Sequence, residues 1–307
     1  MLLSNALDLI GNTPLLALDR IHRGPGRILA KAEFLQPGGS VKDRAAKAIL
    51  LAAKTDGRLL PGMPVIEMTS GNMGAGLAVA CAVLGHPLVV TMSAGNSPAR
   101  ARMLEGLGAT VVLVPQVDGS PGQVTGRDVK AAEALARQLA SERRGFYVDQ
   151  FNAPEGVLAH QATGHEMLAQ FGARIDGWVA AVGTGSTFKG VARVLKEANP
   201  AVVCAVAEPA GSRPLAHEPV DKPKHVIQGT GYGEIPAQWD ATLMDLSIAV
   251  SDADAEAWRH RLAQEEGLYV GYSAAANVYA AAQLLQCGRL PADAVVATVL
   301  CDTGLKY

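Results

Sequence analysis

Short runs of consecutive apolar residues alternate along the chain with longer, Ala-rich stretches of helical spacing. The runs at 64–68, 88–92, 110–114, 177–182 and 202–207 hold mainly Val, Ile, Leu, Ala and Met, with little polar alternation. Strands covered by helices on both faces read this way. The stretches at 43–54, 74–84, 98–107, 128–140 and 188–197 predict helices between and after them. Strand, helix, strand in order means parallel sheets with right-handed crossovers, and so an α/β fold. A boundary near 144–146 divides the chain into two domains, 1–145 and 146–307, each with a mostly parallel sheet flanked by helices and with a cleft between them. Gly, Pro, Ser and Thr crowd residues 115–126, and a second irregular stretch covers 209–239. Loops of that length in compact α/β proteins usually serve as lids or binding segments.

Composition narrows the function classes. The 307 residues carry 27 basic and 29 acidic side chains, a formal charge of −2, and 49% are hydrophobic. That suits a packed globular chain and supplies no basic cluster for nucleic acid. The most apolar stretch, 77–92, is interrupted by His86 and Pro87 and is shorter than the ~20 residues of a membrane helix. No Lys or Arg precedes the apolar residues of 1–10, so a secretory leader is not expected and the expected location is cytoplasmic. Cys81, Cys204, Cys287 and Cys301 form no CxxC and have no His at ligand spacing; they read as buried free thiols, and no metal site is expected.

Glycine, 33 residues of 307, exceeds the roughly 7% background, and it concentrates where sheets of this kind bind ligands, in the turns after strands. One such turn is Thr69-Ser70-Gly71-Asn72-Met73-Gly74 and another is Gly183-Thr184-Gly185-Ser186-Thr187, each leading into a helix. Backbone N–H groups at a helix start can hold an anion; alternatively, the Ser, Thr and Asn side chains simply cap the helices. Gly183 and Gly185 begin a GxG, but Phe188 replaces the third glycine, and no Gly-Lys-Ser/Thr or GxSxG occurs, which disfavours nucleotide and serine-hydrolase chemistry. In Gly38-Gly39-Ser40-Val41-Lys42-Asp43-Arg44 a glycine turn delivers a lysine into the first turn of a helix. There it opposes the macrodipole, and loss of its proton becomes less costly. A solvated surface lysine is the plain alternative. An amine nucleophile combined with a phosphate cup describes a pyridoxal phosphate site.

The chain resembles the cysteine synthase and cystathionine β-synthase family of pyridoxal phosphate enzymes, fold type II, like tryptophan synthase β-subunits. The similarity runs nearly end to end: Ile10-Gly11-Asn12-Thr13-Pro14-Leu15, Ser40-Val41-Lys42-Asp43-Arg44, Thr69 to Gly74, Gln150-Phe151-Asn152, Gly183 to Thr187, Ile227-Gln228-Gly229 and Gly271-Tyr272-Ser273. The resemblance implies a cofactor, pyridoxal 5′-phosphate, in the cleft between the domains. Lys42 is then the lysine that holds it and moves the substrate Cα proton, and Asn72 bonds its 3′ oxygen. Gly183, Thr184, Gly185, Ser186 and Thr187 cradle its phosphate, and Ser273 meets the pyridine nitrogen. Thr69, Ser70, Asn72, Met73, Gln150 and Gly229 are the implied substrate contacts.

The implied reaction is β-replacement on an activated serine, O-acetylserine or similar, through an α-aminoacrylate that a sulfide or thiol attacks, giving cysteine or a related β-substituted alanine. A serine or threonine ammonia-lyase is the alternative, and a non-catalytic pyridoxal phosphate-binding protein a more distant one. A homodimer is implied, with 37–145 a mobile small domain and the first ~36 residues crossing to the other domain; serine acetyltransferase is a conceivable partner. Departures from the family pattern are Met73 in place of threonine, Ser186 in place of an inner glycine, Ser273-Ala274-Ala275 without its glycine, and Ser93-Ala94-Gly95-Asn96-Ser97 in place of a Pro-Glu-Thr-like segment. Met73, closest to the reacting atoms, is the one expected to alter substrate preference.

Overall fold

The computed structural model describes residues 2–121, 124–222 and 224–307. Gly122 and Gln123 of the first long loop and Pro223 of the second lie outside the described residues. The chain forms two compact units. One comprises Gln36–Gly156 with the segment ending at Ile10; the other comprises Gly11–Leu35 with Val157–Tyr307.

In chain order, β1 (Leu15–Ala17) and β2 (Arg27–Lys31) belong to the second unit. The first unit follows with α1 (Lys42–Thr55), β3 (Val65–Met68), α2 (Asn72–Leu84), β4 (Leu88–Ser93), α3 (Pro98–Gly106), β5 (Thr110–Val114), α4 (Gly126–Glu142) and β6 (Phe146–Tyr147). Its sheet runs β5-β4-β3-β6, parallel throughout. Strand alternation sends Val65, Leu88, Val90 and Met92 into a core with Ile49 and Leu50 of α1 and Leu77 and Cys81 of α2; Ile66 and Val89 meet Ala136 and Ala140 of α4 on the opposite face. Helices on both faces are the reason these strands lack polar alternation.

The chain enters the second unit within α5 (Glu155–Phe171) and continues through β7 (Gly177–Ala181), α6 (Ser186–Ala198), β8 (Val203–Pro209), β9 (Leu246–Val250), α7 (Asp252–Glu265), α8 (Tyr272–Gln286) and β10 (Val295–Val299). The sheet order is β1-β2-β10-β7-β8-β9, with only the β1–β2 pair antiparallel. Ala-rich α8 is the central helix of this unit's core, with Ala274, Ala275, Ala276, Val278, Ala280, Ala281 and Leu284 buried.

Three expectations change. The boundary near 144–146 would detach β6 from its sheet: Val65 and Ile66 of β3 pair with Phe146 and Tyr147, so the first unit extends to Gly156. Only residues 11–35 of the leading segment join the second unit; Leu7 and Ile10 pack in the first unit's core, where Lys47 Nζ donates to the carbonyl of Leu7 at 2.8 Å. All four cysteines are free, but Cys81 and Cys204 alone are buried, while Cys287 is exposed and Cys301 half-buried. Among the described residues no helix is long and apolar enough to cross a membrane, and no group of three His, Cys, Asp or Glu side chains is placed to hold a metal.

Candidate active site

In the first unit, the turn after β3 carries Thr69, Ser70 and Gly71 into α2. Thr69 is buried, and its Oγ1 accepts from the Gly71 N–H at 3.3 Å. Ser70 and Asn72 are half-buried. The N-cap of α2 is Gly71, with no side-chain cap bond. A Cβ on Gly76 would stand 3.0 Å from Cα and 3.2 Å from N of Asp43, so glycine there lets α2 approach the first turn of α1, where Lys42 sits.

Lys42 is half-buried and opens α1. Its neighbour Asp43, fully buried, turns its carboxylate back to the Gly38 N–H and the Ser40 hydroxyl, which fixes the glycine turn before the lysine. The N-cap, Val41, makes no side-chain bond. Gln150 follows β6: Asp149, at φ 52°, bends the chain so that Gln150 Nε2 lies 3.1 Å from Glu67 Oε1 and 3.4 Å from the Met68 carbonyl, just before Thr69. Burial raises the Glu67 carboxyl to about 8, the Gln150 hydrogen bond opposing it. The sequence does not single out Glu67; the available signal is one acidic residue in an otherwise apolar strand.

Met73 departs from its expected role. Its side chain is 2% exposed and belongs to the first unit's hydrophobic core. The first turn of α2 directs position 73 inward, so its side chain packs rather than facing a ligand.

In the second unit, Gly183 to Thr187 join β7 to α6. The N-cap, Gly185, is left-handed at φ 91° and gives no side-chain cap. Thr184 and Ser186 are buried and Thr187 half-buried. Thr184 Oγ1 lies 3.1 Å from Ser186 Oγ, and Ser186 Oγ donates to Gln238 Oε1 at 3.0 Å. A Cβ on Gly183 would stand 2.3 Å from the carbonyl oxygen of Gly229, itself exposed and at φ 83°. Ser273, 8% exposed, lies in the first turn of α8, whose N-cap, Gly271, again makes no side-chain bond. Asn277 on α8 accepts from the Ala181 N–H at 2.7 Å and donates to the Val299 carbonyl at 2.9 Å. It thereby ties the Ser273 helix to β7, which leads into the Gly183–Thr187 turn, and to β10. Sequence reasoning missed Asn277; an amide in the alanine face of a helix is the only hint.

The helix starts discriminate between capping and ligand binding. Ser97, Thr125 and Ser251 accept backbone N–H bonds at the starts of α3, α4 and α7. At α1, α2, α6 and α8 the N-cap residue itself gives no side-chain bond; before α1 and α6 the hydroxyls of Ser40 and Thr184 accept only the first helical N–H, from Lys42 at 3.3 Å and from Ser186 at 3.4 Å. First-turn N–H groups need an acceptor, and at α6 those beyond Ser186, whose N–H meets Thr184 Oγ1 at 3.4 Å, fit a phosphate together with the hydroxyls of Thr184, Ser186 and Thr187. Each unit by itself carries groups of the kind pyridoxal phosphate requires: a lysine amine at the start of α1 in the first, and the 183–187 turn and the neutral hydroxyl of Ser273 in the second.

The comparisons agree. A family model described as "Pyridoxal-phosphate dependent enzyme" matches residues 6–302. A probable cysteine synthase of Bacillus subtilis is 37% identical over 100% of this chain and 96% of its own length, and a cysteine synthase of Staphylococcus aureus is 37% identical over 99% and 94%. Among solved structures, an O-ureido-L-serine synthase superposes with a TM-score of 0.90 at 34% identity, covering 100% of this chain and 94% of the other. An O-acetylserine sulfhydrylase isoform of Entamoeba histolytica gives 0.90 at 31%, covering 100% and 90%. Motif helices whose N-cap residues give no side-chain bond, a lysine at the start of one of them and similarity along the whole length lead to one conclusion: the chain belongs to the family of pyridoxal-phosphate dependent enzymes and takes pyridoxal 5′-phosphate as its cofactor.

Proposed function

We propose that this enzyme performs β-replacement on an activated serine, O-acetylserine or a similar ester, with sulfide or a small thiol as the incoming nucleophile. The carrying observation is the set of motif helices whose N-cap residues give no side-chain bond, two in each unit. The bound cofactor supplies an electron sink for the bonds broken at Cα and Cβ. Lys42 holds the cofactor through its amine and moves the proton at the substrate Cα. Asn72 donates to the 3′ oxygen. Gly183, Thr184, Gly185, Ser186 and Thr187 hold the phosphate through N–H groups and hydroxyls. Ser273 meets the pyridine nitrogen with a neutral hydroxyl, which does not hold a proton there as a carboxylate would, and this favours elimination over transamination. Thr69, Ser70, Asn72 and Gln150 bind the substrate carboxylate, where charge-assisted bonds are about twice as strong as neutral ones, and Gly229 is a further substrate contact. The proposed working form is a cytoplasmic homodimer.

The test combines two measurements. Borohydride reduction and mass spectrometry should locate the cofactor on Lys42, and Lys42→Ala should lose it while keeping the fold. O-acetylserine with sulfide should give cysteine. Labelling of another lysine overturns the site assignment; pyruvate as the dominant product in the presence of sulfide and thiols overturns replacement in favour of ammonia-lyase chemistry.

A further inference from the structure

The ladder between the two middle strands of the second unit's sheet stops short of their carboxyl ends. β10 pairs with β7 through Val296 with Gly177 and Ala297 with Trp178 and, among the described residues, no further. By contrast, β7 stays paired with β8 up to Ala181, and β10 with β2 up to Val299. The strand order also reverses there: from β7 the chain moves outward to β8 and β9, then returns to β10 on the other flank of β7. Open α/β sheets bind ligands at such a point, beyond the carboxyl ends of the strands.

Past the last pair, two fully buried side chains join the strands. Thr298 Oγ1 on β10 donates to the Val179 carbonyl at 2.8 Å. Farther along, the Asn277 amide of α8 accepts from the Ala181 N–H of β7 at 2.7 Å and donates to the Val299 carbonyl of β10 at 2.9 Å. A backbone group buried without a partner costs about as much as a lost hydrogen bond. An amide, acceptor at one end and donor at the other, satisfies both strand ends at once. Asn277 stands four residues after Ser273, so both side chains lie on one face of α8, a turn apart. The face fastened to the strand ends is therefore the face that carries Ser273.

We propose that Asn277 is a positioning residue for the cofactor: by fastening α8 to the ends of β7 and β10, it fixes the Ser273 hydroxyl relative to the Gly183–Thr187 turn. The role rests on the readings of Ser273 as the partner of the pyridine nitrogen and of that turn as the phosphate cup. A rigid ring links the pyridine nitrogen to the phosphate arm, so the separation of the two protein groups has to match the cofactor. Binding sites need such groups held to about 0.5 Å. Ala181 is two residues before Gly183, so the bond from Asn277 is made at the base of the turn, inside the same unit. Thr298 lacks this reach, because its bond joins β10 to β7 and leaves α8 out.

Dialysis of the holoenzyme against graded pyridoxal phosphate gives the cofactor dissociation constant, and a double-mutant cycle isolates the coupling between the two side chains. Ser273→Ala should weaken cofactor binding about fivefold in the wild-type background, the worth of one neutral hydrogen bond. Asn277→Ala should weaken it about tenfold or more. In that background Ser273→Ala should cost less than about twofold further and leave the absorption band of the bound cofactor where Asn277→Ala puts it. Thr298→Val is the control: it removes the other buried bridge of the same strand pair, should lower the melting temperature as Asn277→Ala does, and should leave the Ser273→Ala effect at about fivefold. If Asn277→Ala does not fold, Asn277→Ser, which leaves room for a water to meet the two backbone groups, replaces it in the cycle with the same expected result. Unchanged cofactor affinity in Ser273→Ala overturns the reading of Ser273 and the proposal with it. Equal Ser273→Ala effects in all three backgrounds leave that reading standing and reduce Asn277 to a stability role. Loss of the effect in the Thr298→Val background as well also overturns the proposal, since the strand pair and not its attachment to α8 then sets the position.

Discussion

Gly183→Ala tests whether the turn before α6 is a cofactor cup or only a tight connection. An added Cβ would stand 2.3 Å from the Gly229 carbonyl oxygen, about 1 Å inside the ~3.3 Å of a close carbon–oxygen contact. Either the Gly183–Thr187 turn or the segment at Gly229 must move by that amount. Hydrogen bonds tolerate only about 0.5 Å of variation in donor–acceptor distance, so a shift of ~1 Å removes at least one bond to a phosphate held there. One bond to a charged group is worth about 1.5–3 kcal/mol, which raises the cofactor dissociation constant roughly 10- to 150-fold. Overpacking also lowers fold stability by about 1–3 kcal/mol. Spectrophotometric titration of the apoprotein with pyridoxal phosphate, beside thermal melts without cofactor, separates the two effects. Gly126→Ala, where nothing lies within 4 Å of the added Cβ, is the control, expected to be neutral or stabilising by about 0.4–1 kcal/mol. Gly183→Ala with wild-type cofactor affinity would refute the cup.

Two further outcomes follow from burial. Lys31, fully buried on β2, is 2.7 Å from Glu166 Oε2 and 3.0 Å from Gln170 Oε1; Lys31→Met takes the cation from a carboxylate and should cost about 3–5 kcal/mol in denaturant unfolding, with much of the loss recovered by adding Glu166→Gln, and a loss under 1 kcal/mol would count against the pairing. Met73→Thr exchanges a core side chain at 2% exposure for a smaller, polar one and should destabilise by about 2–4 kcal/mol, while acetylserine, phosphoserine and serine keep their rank order in a steady-state assay; a changed order would restore Met73 as a specificity residue.

The parts of the fold that were legible are those where one local signal sufficed. The runs that became β3, β4, β5, β7 and β8 are apolar because helices cover both their faces. The missed strands depend on distant partners. Arg27–Lys31 ends on a lysine whose burial requires Glu166, 135 residues later in the numbering. Val295–Val299 takes its place between β2 and β7, an insertion that order along the chain does not reveal. Phe146–Tyr147 is two residues long and is a strand only because β3 is beside it. Of the candidate residues, Lys42 and the 69–74 and 183–187 turns stand out by residue type and spacing and the role expected of Asn72 comes from the family resemblance, whereas Glu67 and Asn277 act through side-chain contacts across 83 and 96 positions.

The turns at 69–74 and 183–187 left two readings open, helix capping or anion binding, because Ser, Thr and Asn serve both. The structure weighs against full capping: the N-caps are Gly71 and Gly185, neither gives a side-chain cap, and at α6 the Thr184 hydroxyl takes only the first helical N–H, at 3.4 Å. Omitting a cap costs about 1 kcal/mol per helix, and this chain caps α3, α4 and α7 with side chains, the last two through capping boxes. Among the α-helices whose N-caps are described, only α1, α2, α6 and α8 lack a capping side chain at the N-cap residue, an omission that a bound anion would offset. A phosphate at α6 and a substrate carboxylate at α2 are anions of the required kind. At α1 the position nearest the helix start is instead a lysine, where the helix field disfavours the ammonium form, and that is the placement an amine needs if it is to bond to carbon at neutral pH.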